Sequence, residues 1–382
     1  MKKVLVTFVE AGMGHIVTAQ AIADALNELK GEHIELVATD LFHANEKLLK
    51  YENFLISEVK KASVHPTYSR AQLFFMHLFG AQNTLKFVCS GIYGKIVKLY
   101  VEELKKINPD VIIDTHYFTS YCSIYYRDHY NPSCKVITYN PDNNVHGWWS
   151  RKVDNLIVNN ELAYKQALHN KFSKEQVKQV YFVARHGVND VTESREFYRD
   201  KYGIPQDKFA VKLADGMYAK AKLESYVMEL VKTDKPITIV AITGKNTALY
   251  NKFLKLKDTL PANVTLLPFG LMENIYEVFC ACDLFITKAG PNAVLDSALM
   301  RVPVVLNYWA NQIEWTTKQL FVENLGCGVV IKNKKQARKF VEQCIDDKTL
   351  LDKYIENEKK LDKTKNGAVE VARYVIEKLN LQ

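Results

Sequence analysis

Short apolar runs alternate with longer amphipathic segments along all 382 residues of the chain. This alternation indicates parallel β-sheets with helices on both faces, because a crossover between parallel strands needs a helix-sized segment. In the first half, strands are predicted at Val4–Glu10, Ile34–Asp40, Val111–Thr115, Lys135–Tyr139, Asn155–Val158 and Val180–Val183. In the second half, strands are predicted at Phe209–Leu213, Ile237–Ile242, Val264–Pro268, Leu284–Thr287, Val304–Leu306 and Val329–Ile331. The pattern predicts an α/β protein with two doubly wound sheets.

The length exceeds the usual size of one hydrophobic core, so two domains are expected. Residues 1–185 and 207–365 each hold one series of strands, and the polar stretch 186–206 is predicted to be the linker. Residues 366–382 form a predicted C-terminal helix that fits either domain. Ligands of such sheets bind beyond the carboxyl ends of the strands, so a cleft between the two domains is the expected site.

The formal net charge is +8, which suits anionic ligands such as nucleotides or an acidic membrane surface; a lysine-rich surface accounts for it equally well. The seven cysteines include no C-x-x-C pair, which favours a reducing compartment and buried thiols over disulfides or a metal site. The first residues do not resemble a signal peptide, so a cytoplasmic location is expected. The lysines are spread along the chain without a basic run, so no nucleic-acid partner is expected.

The stretch from Phe285 to Asp296 is typical of a phosphate-binding turn. A buried apolar run leads into Gly290 and Pro291, and a helical segment begins at Asn292. Such a turn directs free backbone N–H groups and the positive end of a helix at one place. The carboxylate of Asp296 lies further along the same helix and could reach a ribose hydroxyl. The motif predicts a nucleotide site.

Three more predicted strand ends in the second half carry loops that suit a nucleotide. Gly244 and Lys245 follow one strand and suit a diphosphate. Phe269 follows the next, where its ring and backbone could meet a base. Gln312 and Glu314 follow another and could bind sugar hydroxyls. Each loop alone is equally compatible with an ordinary turn, so the prediction rests on their combination.

In the first half, polar residues also follow predicted strands. Gly14 and His15 come after the first strand, where a glycine turn lets the backbone approach a ligand. Thr115-His116, Asn140-Pro-Asp142 and His146-Gly-Trp148 follow later strands. A histidine or aspartate here could act as a general base, given a pKa near the working pH and reach to the acceptor. For each one, a role in capping or hydrogen bonding explains its position as well.

The stretch Tyr68–Tyr100 interleaves aromatic and apolar residues with Lys86, Lys95 and Lys98. Such a stretch can lie in a membrane interface, with its rings among the headgroups and its lysines on anionic lipid. A pair of amphipathic helices packed on the first domain is the alternative.

Together these motifs resemble a known family. Gly12-Met-Gly-His15, Thr287-Lys-Ala-Gly-Pro291 and Gln312 are similar to segments of the monogalactosyldiacylglycerol synthases and the bacterial diacylglycerol glucosyltransferases. Asp142 and His146 resemble the acceptor-side segment of that family. Its relative is the transferase that adds N-acetylglucosamine to a lipid-linked peptidoglycan precursor. The resemblance covers nearly the whole chain and is most specific over residues 284–328.

The resemblance implies the GT-B fold, with two Rossmann-like domains facing across a cleft. Members of the family are inverting, metal-independent and peripheral to the membrane, and they move a sugar from a UDP-sugar to a lipid hydroxyl. By the same resemblance, residues 290–292 would meet the diphosphate, Asp296 the ribose and Gln312 the donor sugar. His15 would lie beside the acceptor or the donor sugar.

Three positions depart from the family pattern. Asp296 stands where glutamate is usual, and Ala214-Asp-Gly216 replaces a loop rich in paired glycines. The segment from Ala310 to Ile313 replaces the usual Pro-Gly-Gln-Glu. Gly216 is still assigned to the donor site, where Asp215 would add a carboxylate near the diphosphate.

The sequence thus predicts a UDP-sugar-dependent hexosyltransferase with diacylglycerol or a glycosyl-diacylglycerol as acceptor. It would work without a metal or cofactor, on the inner face of the cell membrane. The predicted catalytic residues are His15, Asp142 and His146, with His15 ahead of Asp142 as the base. Two alternatives stay open: a sugar-nucleotide epimerase or transferase to a soluble acceptor, and a catalytically silent UDP-sugar-binding protein.

Overall fold

The structure is a computed structural model that describes residues 1–10, 13–64, 67–68, 71, 74–75, 80–185, 187–216 and 221–380. The chain divides into two compact units. Unit 1 comprises Met1–Arg185 and Lys365–Gln382, and unit 2 comprises His186–Thr364. Gly12 and parts of the stretch Tyr68–Tyr100 lie outside the described residues.

Unit 1 is built on a parallel sheet with the strand order β2-β1-β3-β4-β5-β6. Its strands are β1 Lys2–Thr7, β2 Ile34–Thr39, β3 Val111–Asp114, β4 Lys135–Tyr139, β5 Asn155–Val158 and β6 Val177–Gln179. Its first helices are α1 Met13–Leu29, α2 Glu46–Val64, α3 Ala81–Lys86, α4 Gly94–Ile107, α5 Tyr117–His129 and α6 Glu161–His169. A 3₁₀ turn at Leu41–Ala44 and a π-helical turn at Phe87–Ile92 complete the unit's short elements within the described ranges. The helices cover both faces, and apolar clusters fill the layers between helices and sheet.

Unit 2 repeats the design with the strand order β12-β11-β10-β7-β8-β9, again parallel throughout. Its strands are β7 Phe209–Ala214, β8 Ile237–Ile242, β9 Val264–Phe269, β10 Leu284–Lys288, β11 Val304–Tyr308 and β12 Gly328–Val330. Its helices are α7 Arg195–Tyr202, α8 Ala221–Leu230, α9 Thr247–Lys257, α10 Ile275–Ala281, α11 Pro291–Leu299, α12 Gln312–Lys318, α13 Lys334–Asp346 and α14 Asp352–Glu358. A π-helical turn at Gln319–Asn324 extends α12 towards β12, and a 3₁₀ turn at Lys348–Leu351 joins α13 to α14. The predicted α/β class with two doubly wound sheets is confirmed.

The segment predicted as a linker, residues 186–206, is part of unit 2 and contains α7. Ser194 caps the start of this helix by accepting a hydrogen bond from Phe197 N, and Gly203 ends it with a φ of 67°. The buried Arg199 ties the helix to unit 2 through the carbonyl of Ala281 and the carboxylate of Asp283. The linker was predicted because the stretch is polar and holds Gly187, Gly203 and Pro205, but the structure places it in unit 2 and gives it a capped helix.

The last helix, α15 Gly367–Asn380, belongs to unit 1 and packs against α1. Its apolar face, including Val371 and Val375, joins the apolar cluster around α1. Gly367 N donates to Phe182 O at 2.8 Å. A Cβ on Gly367 would lie 2.0 Å from Tyr181 O, so only glycine fits this approach. The chain therefore returns from unit 2 to complete the core of unit 1.

Three local predictions were wrong. The run Val180–Val183 is not a strand; β6 lies just before it, and Val180 and Val183 pack into the apolar cluster around α1. Residues 70–106, which their apolar pattern predicts to be helical throughout, are interrupted at Gly80, whose φ of 79° is incompatible with a helix. Helix α2 was not predicted. Its apolar residues Leu48, Tyr51, Leu55 and Val59 recur at helical spacing, so the signal was present in the sequence and was overlooked.

Each sheet has one place where the strand order reverses. In unit 1 this switch point lies between β1 and β3, and in unit 2 it lies between β7 and β10. The loops that follow two such strands diverge to opposite faces and leave a crevice at the carboxyl edge, where doubly wound folds bind ligands.

Candidate functional site

The carboxyl edge of unit 2 brings together the glycine turns that the sequence assigned to a nucleotide. Gly216 follows β7, Gly244 follows β8, and Gly290 follows β10, on three strands that are neighbours in the sheet. Gly216 and Gly244 have φ values of 74° and 59°, in the left-handed region that favours glycine. A Cβ placed on Gly270 would lie 3.7 Å from Gly244 O, so the turns after β8 and β9 are also close. The turns therefore form one continuous edge.

Helix α11 begins at the switch point of this edge. Gly290 is its N-cap residue, Pro291 its first residue, and both are half-buried together with Asn292. Proline suits this position because its fixed φ fits the first turn and its missing N–H is not needed there. The amides of a first helical turn have no partner within the helix, and the helix dipole adds partial positive charge. The arrangement can hold an anionic group.

Asp296 lies in the second turn of α11, but its side chain is buried, with only 2% of the residue exposed. Its Oδ1 accepts a hydrogen bond from the Tyr276 hydroxyl at 2.8 Å. The residue predicted to bind a ribose therefore also holds α10 against α11. Its ribose contact stays a prediction.

The remaining predicted donor residues lie along the same edge. Lys245 is exposed in the turn after β8, and Gln312 is exposed as the first residue of α12. The ring of Phe269 packs edge-on against Tyr202, with centroids 5.9 Å apart, and is half-buried. The carbonyl of Phe269 accepts from both N and Oγ1 of Thr243, so this acceptor is already used within the protein.

Lys288 was not assigned a role from sequence, although it ends β10 directly before the phosphate-type turn. Its Nζ donates to Glu314 Oε1 at 2.7 Å. Glu314 was expected to bind sugar hydroxyls; it is instead 4% exposed, and its Oε2 accepts from Ala310 N at 2.6 Å. The missed signal was a cation at the end of an otherwise apolar strand.

At the carboxyl edge of unit 1, His15 lies in the first turn of α1, next to Gly14. Its Nδ1 is 2.6 Å from the carbonyl oxygen of Thr115, which follows β3. A carbonyl can only accept, so Nδ1 carries the proton and Nε2 of the neutral ring keeps its lone pair. Burial lowers the pKa of His15 to about 4, although the bond to Thr115 opposes this shift. His15 is therefore neutral at physiological pH.

Asp142 and His146 lie in the loop after β4. The Asp142 amide donates to Asn140 Oδ1 at 3.2 Å, and Asn140 Nδ2 donates to the carbonyl of Asn144 at 2.9 Å, so the side chain of Asn140 shapes the loop. Burial raises the pKa of Asp142 to about 7. His146 Nδ1 accepts from Trp148 N at 3.3 Å. Asp142 thus has the pKa that a base near neutral pH needs.

His116, which the sequence placed among the possible bases but not among the predicted catalytic residues, lies beside the two predicted histidines. Its ring lies edge-on to His15, with centroids 4.9 Å apart, and beside Tyr117, whose ring in turn contacts His146. Burial, followed by the nearby charges of His15 and His146, lowers the pKa of His116 well below its usual value. The switch point of unit 1 therefore carries neutral imidazoles.

Asp40, His43 and Glu52 bring ligand-type atoms within 4.8 Å of one another after β2. His43 Nε2 lies 3.1 Å from Glu52 Oε2, and Glu10 N donates to Glu52 Oε1 at 2.8 Å. Burial, followed by the hydrogen bond and the charge of the adjacent Glu52, raises the pKa of Asp40 to about 8.

Comparison with known proteins covers both units. Residues 15–180 match the family described as monogalactosyldiacylglycerol (MGDG) synthase. The chain is 24% identical over 386 residues to the processive diacylglycerol beta-glucosyltransferase of Bacillus pumilus (strain SAFR-032), with 100% of this chain and 96% of the relative covered. It is 26% identical over 358 residues to the probable chloroplastic monogalactosyldiacylglycerol synthase of Nicotiana tabacum, with 90% of this chain but only 64% of the relative covered.

Among solved structures, the chain is similar to the MurG protein of Acinetobacter baumannii, with a TM-score of 0.63, 12% identity and coverage of 99% of this chain and 100% of the other. The chain is a GT-B glycosyltransferase. The resemblance inferred from the motifs is confirmed. This glycosyltransferase is also similar to S. aureus MnaA in complex with UDP, with a TM-score of 0.62, 15% identity and coverage of 100% and 98%.

Within the described residues of this glycosyltransferase, none of the helices is both long enough and apolar enough to cross a bilayer.

Proposed function

We propose that the protein moves a hexose from a UDP-sugar to a hydroxyl of diacylglycerol or a glycosyl-diacylglycerol, with inversion and without a metal. The observation that carries the proposal is the carboxyl edge of unit 2, where glycine turns, the start of α11 and a lysine meet at the switch point. The names of the relatives in Bacillus pumilus and Nicotiana tabacum supply the acceptor class.

Unit 2 would bind the sugar donor. The diphosphate would lie at the start of α11, where amide N–H groups and the helix dipole stabilise the negative charge that grows as the sugar leaves. The lysine at the switch point supplies further positive charge at this edge. These groups take over the charge neutralisation that a metal would otherwise provide. Gln312, exposed at the start of α12, is the proposed contact to the donor sugar.

Unit 1 would bind the acceptor. Asp142 replaces His15 as the first candidate for the general base. Asp142 has a pKa raised to about 7, whereas burial lowers that of His15 to about 4. The base takes the proton of the acceptor hydroxyl while its oxygen bonds to the anomeric carbon from the face opposite the diphosphate. The bond between the sugar and the diphosphate breaks, and its electron pair leaves with UDP. His15 and His146 would orient the hydroxyl.

An anionic membrane surface on the cytoplasmic side is the proposed place of work. Phe87 and Ile92, in the π-helical turn before α4, are 60% and 58% exposed. Lys86 and Lys95 are exposed beside them. Exposed rings and aliphatic groups flanked by lysines suit insertion among anionic headgroups.

The test is release of UDP from UDP-glucose or UDP-galactose in the presence of vesicles that contain diacylglycerol, with and without phosphatidylglycerol. Turnover that requires diacylglycerol, with the product anomer inverted relative to the donor, supports the proposal. Turnover with a soluble acceptor, or epimerisation of the donor, would replace it with the first alternative. Saturable UDP binding without turnover for any pair would leave a UDP-sugar-binding protein.

A further inference from the structure

Lys288 occupies the crevice between the two strands that form the switch point of unit 2. It is the last residue of β10, whose neighbour in the sheet is β7. A Cβ placed on Gly216, after β7, would lie 3.4 Å from Lys288 Cε, and one placed on Gly290 would lie 4.0 Å from the same atom. The lysine side chain therefore runs between the two glycine turns, and its side chain is 25% exposed.

Glu314 binds the ammonium group of this lysine. Its Oε1 accepts from Lys288 Nζ at 2.7 Å, while its Oε2 accepts from Ala310 N at 2.6 Å. The Glu314 amide in turn donates to Asn311 Oδ1 at 2.9 Å, which caps α12. Both carboxylate oxygens are thus fixed. An ammonium group has three donors, and the bond to Glu314 uses one of them.

Stability does not explain why an ion pair lies here. Taking two charges out of water costs about as much as their attraction returns, so apolar side chains would stabilise this edge equally well. Burial alone would lower the pKa of Lys288, but Glu314 and then Asp215 and Tyr308 raise it above its usual value. The carboxylate of Asp215, expected near the diphosphate, interacts electrostatically with Lys288 and Lys222. The surroundings keep Lys288 charged.

We propose that Lys288 is the cation that binds the diphosphate of the donor, and that Glu314 is the positioning residue that holds it between the turns at Gly216 and Gly290. The lysine keeps its bond to Glu314 and donates its remaining protons to the diphosphate oxygens. As the bond between sugar and diphosphate breaks, the added negative charge on UDP falls beside the ammonium group. This inference rests on the proposed use of a UDP-sugar and identifies the residue that recognises its charged part.

The test compares the affinities of UDP and uridine, which differ only in the diphosphate, in wild type and in Lys288→Met. Losing a charge-assisted hydrogen bond should weaken UDP binding about 10- to 100-fold, and uridine binding should change less than about twofold. Lys288→Arg should keep most of the preference for UDP, because a guanidinium also pairs with phosphate. The matched control is Lys235→Met, which removes a lysine that donates to Asp346 at 2.7 Å elsewhere in unit 2.

A Lys288→Met protein that unfolds at the wild-type temperature and keeps the wild-type ratio of UDP to uridine affinity would overturn the assignment. If wild type binds UDP no better than uridine, the proposed donor site itself fails, and the assignment fails with it. Because the ratio is measured within each protein, a loosened edge that weakens both ligands equally also counts against Lys288.

Glu314→Gln tests the positioning role by its pH dependence. Without the Glu314 charge, burial lowers the pKa of Lys288, although Asp215 and Tyr308 still face it. The preference for UDP should then fall as the pH rises from about 7 to about 9, whereas wild type should stay flat because its lysine remains charged. A purely structural role would lower the preference equally at every pH, and that result would overturn the positioning role.

Discussion

At the carboxyl edge of unit 1, the side chains after β1 and β4 are buried titratable groups, His15 and Asp142, whose pKa values are shifted towards the neutral forms. The carboxyl edge of unit 2 instead carries glycine turns, the start of α11 and Lys288, whose pKa is raised towards the charged form. Each edge includes the switch point of its parallel sheet, between β1 and β3 in unit 1 and between β7 and β10 in unit 2.

The difference teaches that one scaffold supports two kinds of chemistry, and that burial and neighbouring charges decide which. In unit 1, buried groups without an opposite charge lose their ionised form, which prepares them to accept or hold a proton. In unit 2, Glu314 and Asp215 compensate the cost of burial, so a charge survives to meet an anion. Variants of unit 1 should therefore change the rate, and variants of unit 2 should change the affinity for UDP.

The largest expected effect is on the rate of Asp142→Asn. Loss of a general base should lower kcat about 10²- to 10⁴-fold, with the affinity for UDP unchanged. In wild type, kcat should fall as the pH drops below about 7, because protonated Asp142 cannot accept the acceptor proton. The measurement is kcat against pH in both proteins, together with UDP affinity by calorimetry.

His15→Gln serves as the matched control for the base assignment. It should lower kcat but keep the fall below about pH 7, because that fall belongs to Asp142. A fall that survives in Asp142→Asn and disappears in His15→Gln would exchange the two roles.

The next effect concerns Asp296 in unit 2. Asp296→Asn should weaken UDP binding about tenfold or more, since a hydrogen bond from a ribose hydroxyl to a charged group is lost. Tyr276→Phe, which removes only the 2.8 Å bond to Asp296 Oδ1, should weaken it less. Equal losses in the two variants would mean that Asp296 acts only by holding α10 against α11.

A smaller effect is expected for Gly216→Ala. The φ of 74° costs alanine about 1 kcal/mol, and the new Cβ would lie 3.4 Å from Lys288 Cε. UDP binding should weaken severalfold. Gly203→Ala is the control, because its φ of 67° is equally strained but no atom lies within 4 Å of its Cβ. Equal UDP affinities for the two variants would show that Gly216 does not belong to the donor site.

Chelation of metals should have no effect on activity, because we propose that the start of α11 and Lys288 neutralise the leaving group. The measurement is the rate of UDP release with and without EDTA. His43→Ala removes one member of the group formed with Asp40 and Glu52. It should likewise leave the rate of UDP release unchanged. Activity lost with EDTA and restored by a divalent cation would show that unit 2 does not supply the charge alone.

Much of the carboxyl edge of unit 2 was predictable from sequence because its signals are local. An apolar run followed by Gly290 and Pro291 identifies a strand, a turn and a helix start within a few residues. The partner of Lys288 was not predictable, since Glu314 lies 26 residues further along the chain. The order that we propose for the two candidate bases rests on burial, which shifts a pKa and which neighbouring sequence does not reveal.

The sequence by itself determined the α/β class, the two strand series and the turns that end them, because apolar periodicity and glycine or proline positions act over short distances. Only the tertiary structure decided that α7 belongs to unit 2, that α15 completes unit 1, and which side chains are charged at each edge. The physical reason is that strand order, burial and ion pairing join residues far apart in the chain, so their energies exist only once the sheets have formed.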